Sequence, residues 1–157
     1  MVIDLIVVGK TDSPEIAALV TNYERRINFY LKFSVIYLPD VKTSKKLPPA
    51  KQKEMEGEQL LRQFAPGDYV VLLDENGAEY TSVEFAARLE KRMAAGVKRL
   101  CFVIGGPYGF SPEVYSRANG KVSLSRMTFS HQIVRALFAE QLYRALTILG
   151  NEPYHHE

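Results

Sequence analysis

The stretch RLCFVIGGPYGF, from Arg99 to Phe110, decides the fold of this chain. Its first half is apolar enough to form a buried strand, and three glycines and a proline follow within five positions. Glycines directly after a strand let the backbone pass close to another group, because no Cβ stands in the way. Ligands of open α/β sheets bind outside the carboxyl ends of the strands, where this loop would lie. The stretch therefore predicts either a ligand-binding loop or an ordinary tight turn.

Strands and helices alternate along the rest of the sequence. Apolar strands are predicted at 2–9, at 33–39, from Tyr69 to a turn at Asn76-Gly77, and around KVSLS at 121–125. Helical periodicity separates these strands, and a long helix, HQIVRALFAEQLYRALTIL, follows the last of them. Such alternation is typical of an α/β fold, a parallel sheet covered by helices on both faces. We expect one domain over residues 1–157, because no linker or repeat divides a chain of this length.

Two helices carry sequence signals for their first turn. Ser13 precedes Pro14, which suits an N-cap followed by the first helical position. Thr81 stands three residues before Glu84, the spacing of a capping box, and Gly96 supplies the C-terminal stop. Both segments are therefore predicted to form helices.

Composition excludes several classes of protein. The apolar fraction of 46% and the charged fraction of 24% argue against disorder, collagen and coiled coil. Cys101 is the only cysteine and lies in a predicted strand, so we expect a buried thiol, no disulfide and a reducing compartment. No segment approaches the apolar length of a membrane span, and the adjacent histidines lack a third metal ligand. We therefore expect a cytoplasmic protein without membrane or metal partners.

The net charge of +2 is too small to indicate nucleic-acid binding, but the charge is unevenly distributed. Five lysines and no acid lie between Lys42 and Lys53. The last third of the chain is also basic, with Lys121, Arg126, Arg135 and Arg144. These positions form either a solvated surface or an anion-binding face.

The glycine loop lacks the known phosphate-binding signatures. It is not G-x-G-x-x-G, no Walker motif occurs in the chain, and Pro107 removes one N–H that a phosphate would use. A second irregular segment, the polar link at 123–130, leads into the last helix and offers backbone groups to a planar base. In a parallel sheet the glycine loop, this link and the end of VVLLD meet at one edge. The three junctions therefore predict one composite pocket.

Four separated motifs carry a resemblance to a known family: VVLLDENG, FVIGGPYG, LSRMTFSHQIVRALFAEQLYRA and the terminal PYHHE. In this order, and with the opening VIDLIVVGK, the whole chain resembles the small SPOUT methyltransferases, and more narrowly the bacterial RlmH (YbeA-like) family. The resemblance implies a C-terminal trefoil knot, which ordinary topology rules would exclude. It also implies a homodimer that methylates N3 of a pseudouridine in large-subunit ribosomal RNA.

The same resemblance implies S-adenosylmethionine as the cofactor. Its implied binding residues are Leu73, Gly105 and the link residues Leu124, Ser125, Arg126, Met127, Thr128 and Phe129. On this interpretation Gly105 and Gly106 let the backbone approach the cofactor. The three junctions that predict a pocket are then the cofactor site.

Methyl transfer to an imide nitrogen requires in-line alignment and removal of the N3 proton. The candidate bases are His131, Glu140, Tyr154, His155 and His156. We favour the tail, because PYHHE is unusually aromatic and polar for a chain end that only frays. His131 opens the last helix in this interpretation, and the helix dipole there favours a neutral imidazole, either a donor or a cap.

Lys121 and Arg126 are predicted to contact RNA, because they lie beside the cofactor link. Arg135 and Arg144 are two and a half turns apart on one helix, so they point to different sides. We assign Arg135 to the RNA surface, with the other arginine at a dimer interface or an ion pair. The assembled ribosome is the expected substrate, since a small domain must recognise shape and phosphates.

Two other functions remain open from the sequence. One is an RNA- or nucleotide-binding module that kept the fold without the chemistry, although the glycine loop and the link are both intact. The other is methylation of another position, such as a ribose 2′-hydroxyl. Residue spacing alone does not separate a nitrogen target from an oxygen target.

Overall fold

The computed structural model describes residues 1–41 and 47–156. The elements in chain order are β1 (Val2–Val8), α1 (Pro14–Ile27), β2 (Phe33–Leu38), α2 (Pro49–Leu61), β3 (Tyr69–Glu79), α3 (Ser82–Ala94), β4 (Arg99–Ile104), α4 (Pro112–Arg117), β5 (Gly120–Ser123) and α5 (Ile133–Leu149). The strands form one sheet in the order β2-β1-β4-β3-β5, and every pairing is parallel. The predicted parallel α/β sheet is confirmed.

Both faces of the sheet are covered. Side chains of a strand alternate between faces, so Ile3 and Leu5 of β1 pack in one cluster and Ile6 packs in the other. The first cluster also contains buried residues of α1, α3 and α5. The second is closed by Leu60 of α2 and Val114 of α4. Burial on both faces explains why these strands are nearly continuous apolar runs.

The predicted helix signals are confirmed in detail. The Ser13 hydroxyl accepts a hydrogen bond from the Ile16 N–H, and Pro14 is the first residue of α1. At α3, Thr81 Oγ1 accepts from the Glu84 N–H at 3.1 Å, and Glu84 accepts from the Thr81 N–H at 2.8 Å. These reciprocal bonds satisfy two N–H groups that the helix itself leaves without partners.

The predicted turn at Asn76-Gly77 is wrong. β3 continues to Glu79, and its register with β5 shifts between Leu73 and Ala78. A Cβ at Gly77 would lie 2.7 Å from the backbone nitrogen of Val122. Glycine is therefore needed here for the close approach of two strands rather than for a reversal of the chain.

The lysine-rich loop before α2 is only partly described. Lys42, Lys45 and Lys46 lie outside the described residues, and the description resumes at Leu47. Within the part of the chain that is described, no helix has the length and apolar character needed to cross a membrane.

Cys101 is the buried thiol that the sequence predicts, with no exposed surface. Burial raises the pKa of the thiol to about 11. Since the thiolate is the reactive form, we expect Cys101 to react with a disulfide reagent at pH 8 about 100-fold more slowly in the folded protein than in urea. The measurement is the release of the chromogenic thiol with time, and equal rates in both conditions would show that the strand opens readily.

Candidate functional site

The carboxyl ends of β3, β4 and β5 open into one cavity of about 580 Å³. Its walls are the glycine loop at 105–110, the polar link at 123–130 and His131, which follows the link. Parallel strands bring these ends to the same edge of the sheet, which is where open α/β sheets bind ligands. The volume lies within the range of small-molecule sites in proteins.

The structure brings together seven of the eight residues that the sequence implies for cofactor binding. The residues that line the cavity are Leu73, Gly105, Leu124, Ser125, Met127, Thr128 and Phe129. Arg126 does not line it: its side chain is 89% exposed and forms an ion pair with Glu79 at 2.9 Å. The contact of each residue with a ligand stays a prediction.

The glycine loop is shaped by protein groups beneath it. A Cβ at Gly105 would lie 3.0 Å from the Phe110 ring, and a Cβ at Gly106 would lie 2.2 Å from a carboxylate oxygen of Glu56. Gly109 has a φ of +82° and donates its N–H to the Gly106 carbonyl at 3.2 Å. The missing side chains of Gly105 and Gly106 thus make room for Phe110 and Glu56. Both glycines also line the cavity, and the approach of their backbone to a cofactor stays a prediction.

The polar link keeps an irregular backbone through its own side chains. Ser123 Oγ donates to the Ser125 carbonyl at 2.8 Å, and Ser125 Oγ accepts from the Met127 N–H at 2.9 Å. Thr128 Oγ1 donates to the Glu75 carboxylate at 2.8 Å, which ties the link to β3 across the cavity. These side-chain hydrogen bonds keep the link in a non-helical conformation, because they compete with the backbone hydrogen bonds of a helix.

The cavity also contains acidic and phenolic groups that the sequence analysis missed. Asp74 and Glu75 follow the buried part of β3, and Tyr115 of α4 donates its hydroxyl proton to Asp74. Burial, the hydrogen bond and the charge of Asp74 together raise the pKa of Tyr115 to about 12. The signal for the acids was present, because both lie inside the quoted motif VVLLDENG.

The raised pKa of Tyr115 predicts that the folded protein loses stability at alkaline pH. Its pKa is raised in the folded state, so its contribution is complete below about pH 10, the ordinary tyrosine value, and disappears as the pH rises towards 12. We expect Tyr115→Phe to lose less unfolding free energy over this window than the wild type. Urea unfolding at several pH values measures this change in unfolding free energy. Tyr108→Phe is the control, because it removes an exposed phenol from the same cavity. Parallel curves for the wild type and Tyr115→Phe would contradict the assignment.

The C-terminal tail packs against α5 of the same chain. Tyr154 donates its hydroxyl to Glu140 at 2.9 Å, and Arg144 lies 2.6 Å from Glu140 and 3.0 Å from Nδ1 of His155. Burial and hydrogen bonds to Tyr23 and Glu140 raise the pKa of Tyr154. A phenol that holds its proton this tightly is a proton donor at neutral pH rather than a base.

Of the five candidate bases, only His131 lines the cavity. It precedes α5 by two positions and Gln132 is the N-cap, so His131 does not open the helix as predicted. Glu140 is engaged by Arg144 and Tyr154. His155 and His156 are on the tail, outside the lining of this cavity.

Arg135 is not on an RNA surface, which corrects the sequence-based assignment. Only 1% of the residue is exposed, and its guanidinium donates to the carbonyls of Val8, Gly9 and His131 at 2.8, 2.9 and 3.0 Å. The guanidinium is buried against the end of β1, so it is not accessible to RNA. Arg144 points instead to the tail, and the predicted divergence of the two arginines is confirmed.

Lys121 and Arg126 are exposed, as their predicted contact with RNA requires. Lys121 Nζ lies 5.5 Å from the centre of the Tyr115 ring, next to the cavity. Among the described residues, no group of three or more metal-ligating side chains lies together.

Comparisons with known proteins agree with this geometry. A family model described as "Predicted SPOUT methyltransferase" matches residues 1–155. The ribosomal RNA large subunit methyltransferase H of Parabacteroides distasonis is 55% identical over 157 residues, the whole of both chains. The protein of the same name from Christiangramia forsetii is 56% identical over 156 residues, 99% of each chain. With a match of this length, and a cavity at the strand ends, the chain belongs to the SPOUT methyltransferase family.

Proposed function

We propose that this chain transfers a methyl group from S-adenosylmethionine to N3 of a pseudouridine in large-subunit ribosomal RNA. The observation that carries the proposal is the cavity formed by the ends of β3, β4 and β5 in a member of a methyltransferase family. The relatives named for the large ribosomal subunit support the choice of RNA.

The cavity residues fit this cofactor. Leu73, Ile104 and Leu124 offer apolar surface to an adenine ring, and the backbone of the link offers donors and acceptors to its edge. Asp74 and Glu75 place negative charge at the cavity, which complements a positively charged sulfonium and ammonium. When bound, S-adenosylmethionine supplies a methyl group activated by the sulfonium.

The chain must itself hold the target base in line and accept the N3 proton. His131 is placed at the cavity, whereas the tail residues could act only at the cavity of a second copy. A homodimer is supported by apolar surface on the link and α5, where Met127 is 77% exposed, Phe129 38% and Leu137 37%. Exposed apolar side chains that lie near each other favour a protein interface.

The proposed RNA contacts are Lys121 and Arg126, which are exposed beside the cavity. Two basic side chains give little sequence discrimination, since phosphate contacts position a protein without reading bases. The assembled subunit would supply the missing shape, with the target base unstacked into the cavity. Such a substrate would place the reaction in the cytoplasm.

The test is transfer of a tritiated methyl group to ribosomes from a strain that lacks this gene, followed by mass mapping of the modified nucleoside. We expect one N3-methylated pseudouridine in the large-subunit RNA and much less transfer to the free transcript. S-adenosylhomocysteine at a hundredfold excess over its Kd should add about 2.7 kcal/mol of stability. Binding without label would refute the reaction, label on a ribose would refute the position, and absence of binding would refute the cofactor site.

A further inference from the structure

Glu56 is an acidic residue buried directly beneath the glycine loop. It lies on α2, only 3% exposed, on the face of the sheet opposite α1 and α5. A Cβ at Gly106 would lie 2.2 Å from Oε2 and 2.6 Å from Oε1 of Glu56. The carboxyl group therefore occupies the space where a side chain of residue 106 would lie. Gly106 itself lines the cavity, so Glu56 lies behind the cavity wall.

One oxygen of this carboxyl group is unsatisfied. Oε1 is buried and has no hydrogen-bond partner among the described residues. Burial and the charge of Asp40 raise the pKa of Glu56. A carboxyl group with a raised pKa keeps its proton to higher pH than an exposed one, and in its protonated form it donates as well as accepts a hydrogen bond.

The next residue of α2 contacts the far end of the same loop. A Cβ at Gly57 would lie 2.4 Å from the Ser111 hydroxyl, and Ser111 is the N-cap of α4. Two consecutive residues of one helix thus meet both ends of the segment from Gly105 to Ser111. Because α2 contacts both ends of this loop, it restricts the position of the loop relative to the sheet.

We propose that Glu56 is a positioning residue: its carboxyl group, which lies under Gly106, sets the conformation of the loop 105–111 that the cofactor contacts. This inference rests on the proposed function for the identity of the ligand. Its structural part, the support of the loop, does not. Glu56 itself touches neither the cavity nor a reacting atom.

The first test is hydrogen–deuterium exchange of peptides that span residues 105–111, in the protein without ligand. Glu56→Ala should exchange faster there by about tenfold, because the loop loses its support, while Glu56→Gln keeps the shape and stays within about twofold of the wild type. Glu58→Ala is the matched control, since Glu58 is an exposed acid on the same helix. Unchanged exchange in Glu56→Ala, or equal loss of protection in Glu56→Gln, would overturn the proposal.

The second test is a double-mutant cycle with S-adenosylhomocysteine affinity as the readout. Glu56→Ala alone should raise Kd about tenfold, and Glu56→Gln should restore it. Gly106→Ala should weaken binding about fivefold in the wild type but less than about twofold beside Glu56→Ala, where the carboxyl no longer occupies the Cβ position. An equal penalty in both backgrounds would mean that the new methyl group obstructs the ligand instead, and would overturn the proposal.

The two tests separate the failure of this inference from that of the proposed function. If the wild type does not bind S-adenosylhomocysteine, the proposed function fails, and the exchange experiment still decides the role of Glu56. Should Glu56→Ala fail to fold, the Glu56→Gln and Gly106→Ala variants carry the same comparison. Loss of loop protection in Gly106→Ala with a retained core would support the proposal, and full protection would overturn it.

Discussion

Replacement of Arg135 with alanine is expected to lower the free energy of unfolding by about 3 to 5 kcal/mol. The guanidinium donates to the carbonyls of Val8 and Gly9 at the end of β1, and both bonds are buried. Without the arginine these acceptors lose their partners in a space that the side chain also filled. Burial lowers the pKa of Arg135, which shows that the charge is held at a desolvation cost.

Urea unfolding measures this prediction, with Arg126→Ala as the matched control. The Arg126 side chain is 89% exposed and pairs with Glu79 at the surface, so its loss should change stability by less than about 0.5 kcal/mol. Arg135→Met restores apolar volume but not the donors, and we expect it to recover only part of the loss. A change below about 1 kcal/mol for Arg135→Ala would mean that solvent satisfies the β1 carbonyls.

Deletion of residues 153–157 is expected to lower kcat by about 100-fold or more, since a positioned base contributes on that scale. The Kd for S-adenosylhomocysteine should stay within about threefold of the wild type, because neither Tyr154 nor the tail histidines line the cavity. Methyl transfer to ribosomes and calorimetric binding measure the two quantities. The expected pattern is a lower rate of methyl transfer with unchanged binding at the cofactor site.

Single substitutions separate the tail residues. Tyr154→Phe removes the hydroxyl that Glu140 accepts, while the ring can keep its packing on Tyr143 at 4.8 Å between centres. His155→Ala and His156→Ala each remove one candidate base. If the deleted protein keeps its kcat, the tail is not the source of the base. His131, which lies at the cavity, then becomes the leading candidate, and His131→Gln tests it.

The architecture of the sheet followed from local patterns. Continuous apolar runs and the alternation of strands and helices predicted the parallel sheet, because burial on both faces leaves that signature in any short window. The Thr81 capping box was predicted for the same reason, since its partner is only three residues away. The trefoil knot is an expectation that comes only from the family, because periodicity carries no information about which segment threads through which loop.

The position of the site was predictable, whereas the roles of several residues were not. The glycine loop and the polar link are both irregular segments after strands, and parallel topology brings such segments to one edge. The packing of Gly106 against Glu56 was not predicted, because the two residues are 50 positions apart in the sequence. The local sequence around Gly106 and around Glu56 gives no sign that the two residues are in contact.

The sequence by itself determined the order of the strands and helices, the first turns of α1 and α3, and the edge of the sheet that holds the cavity, since each depends on local patterns. The end of β3 and the start of α5 did not follow from the sequence. Tertiary structure alone decided the environment of the charged side chains. Arg135 lies on a helix whose pattern permits an exposed charge, yet it is buried against Gly9, 126 positions away. The reason is physical: whether a charge is solvated or buried depends on which distant backbone acceptors folding brings to it.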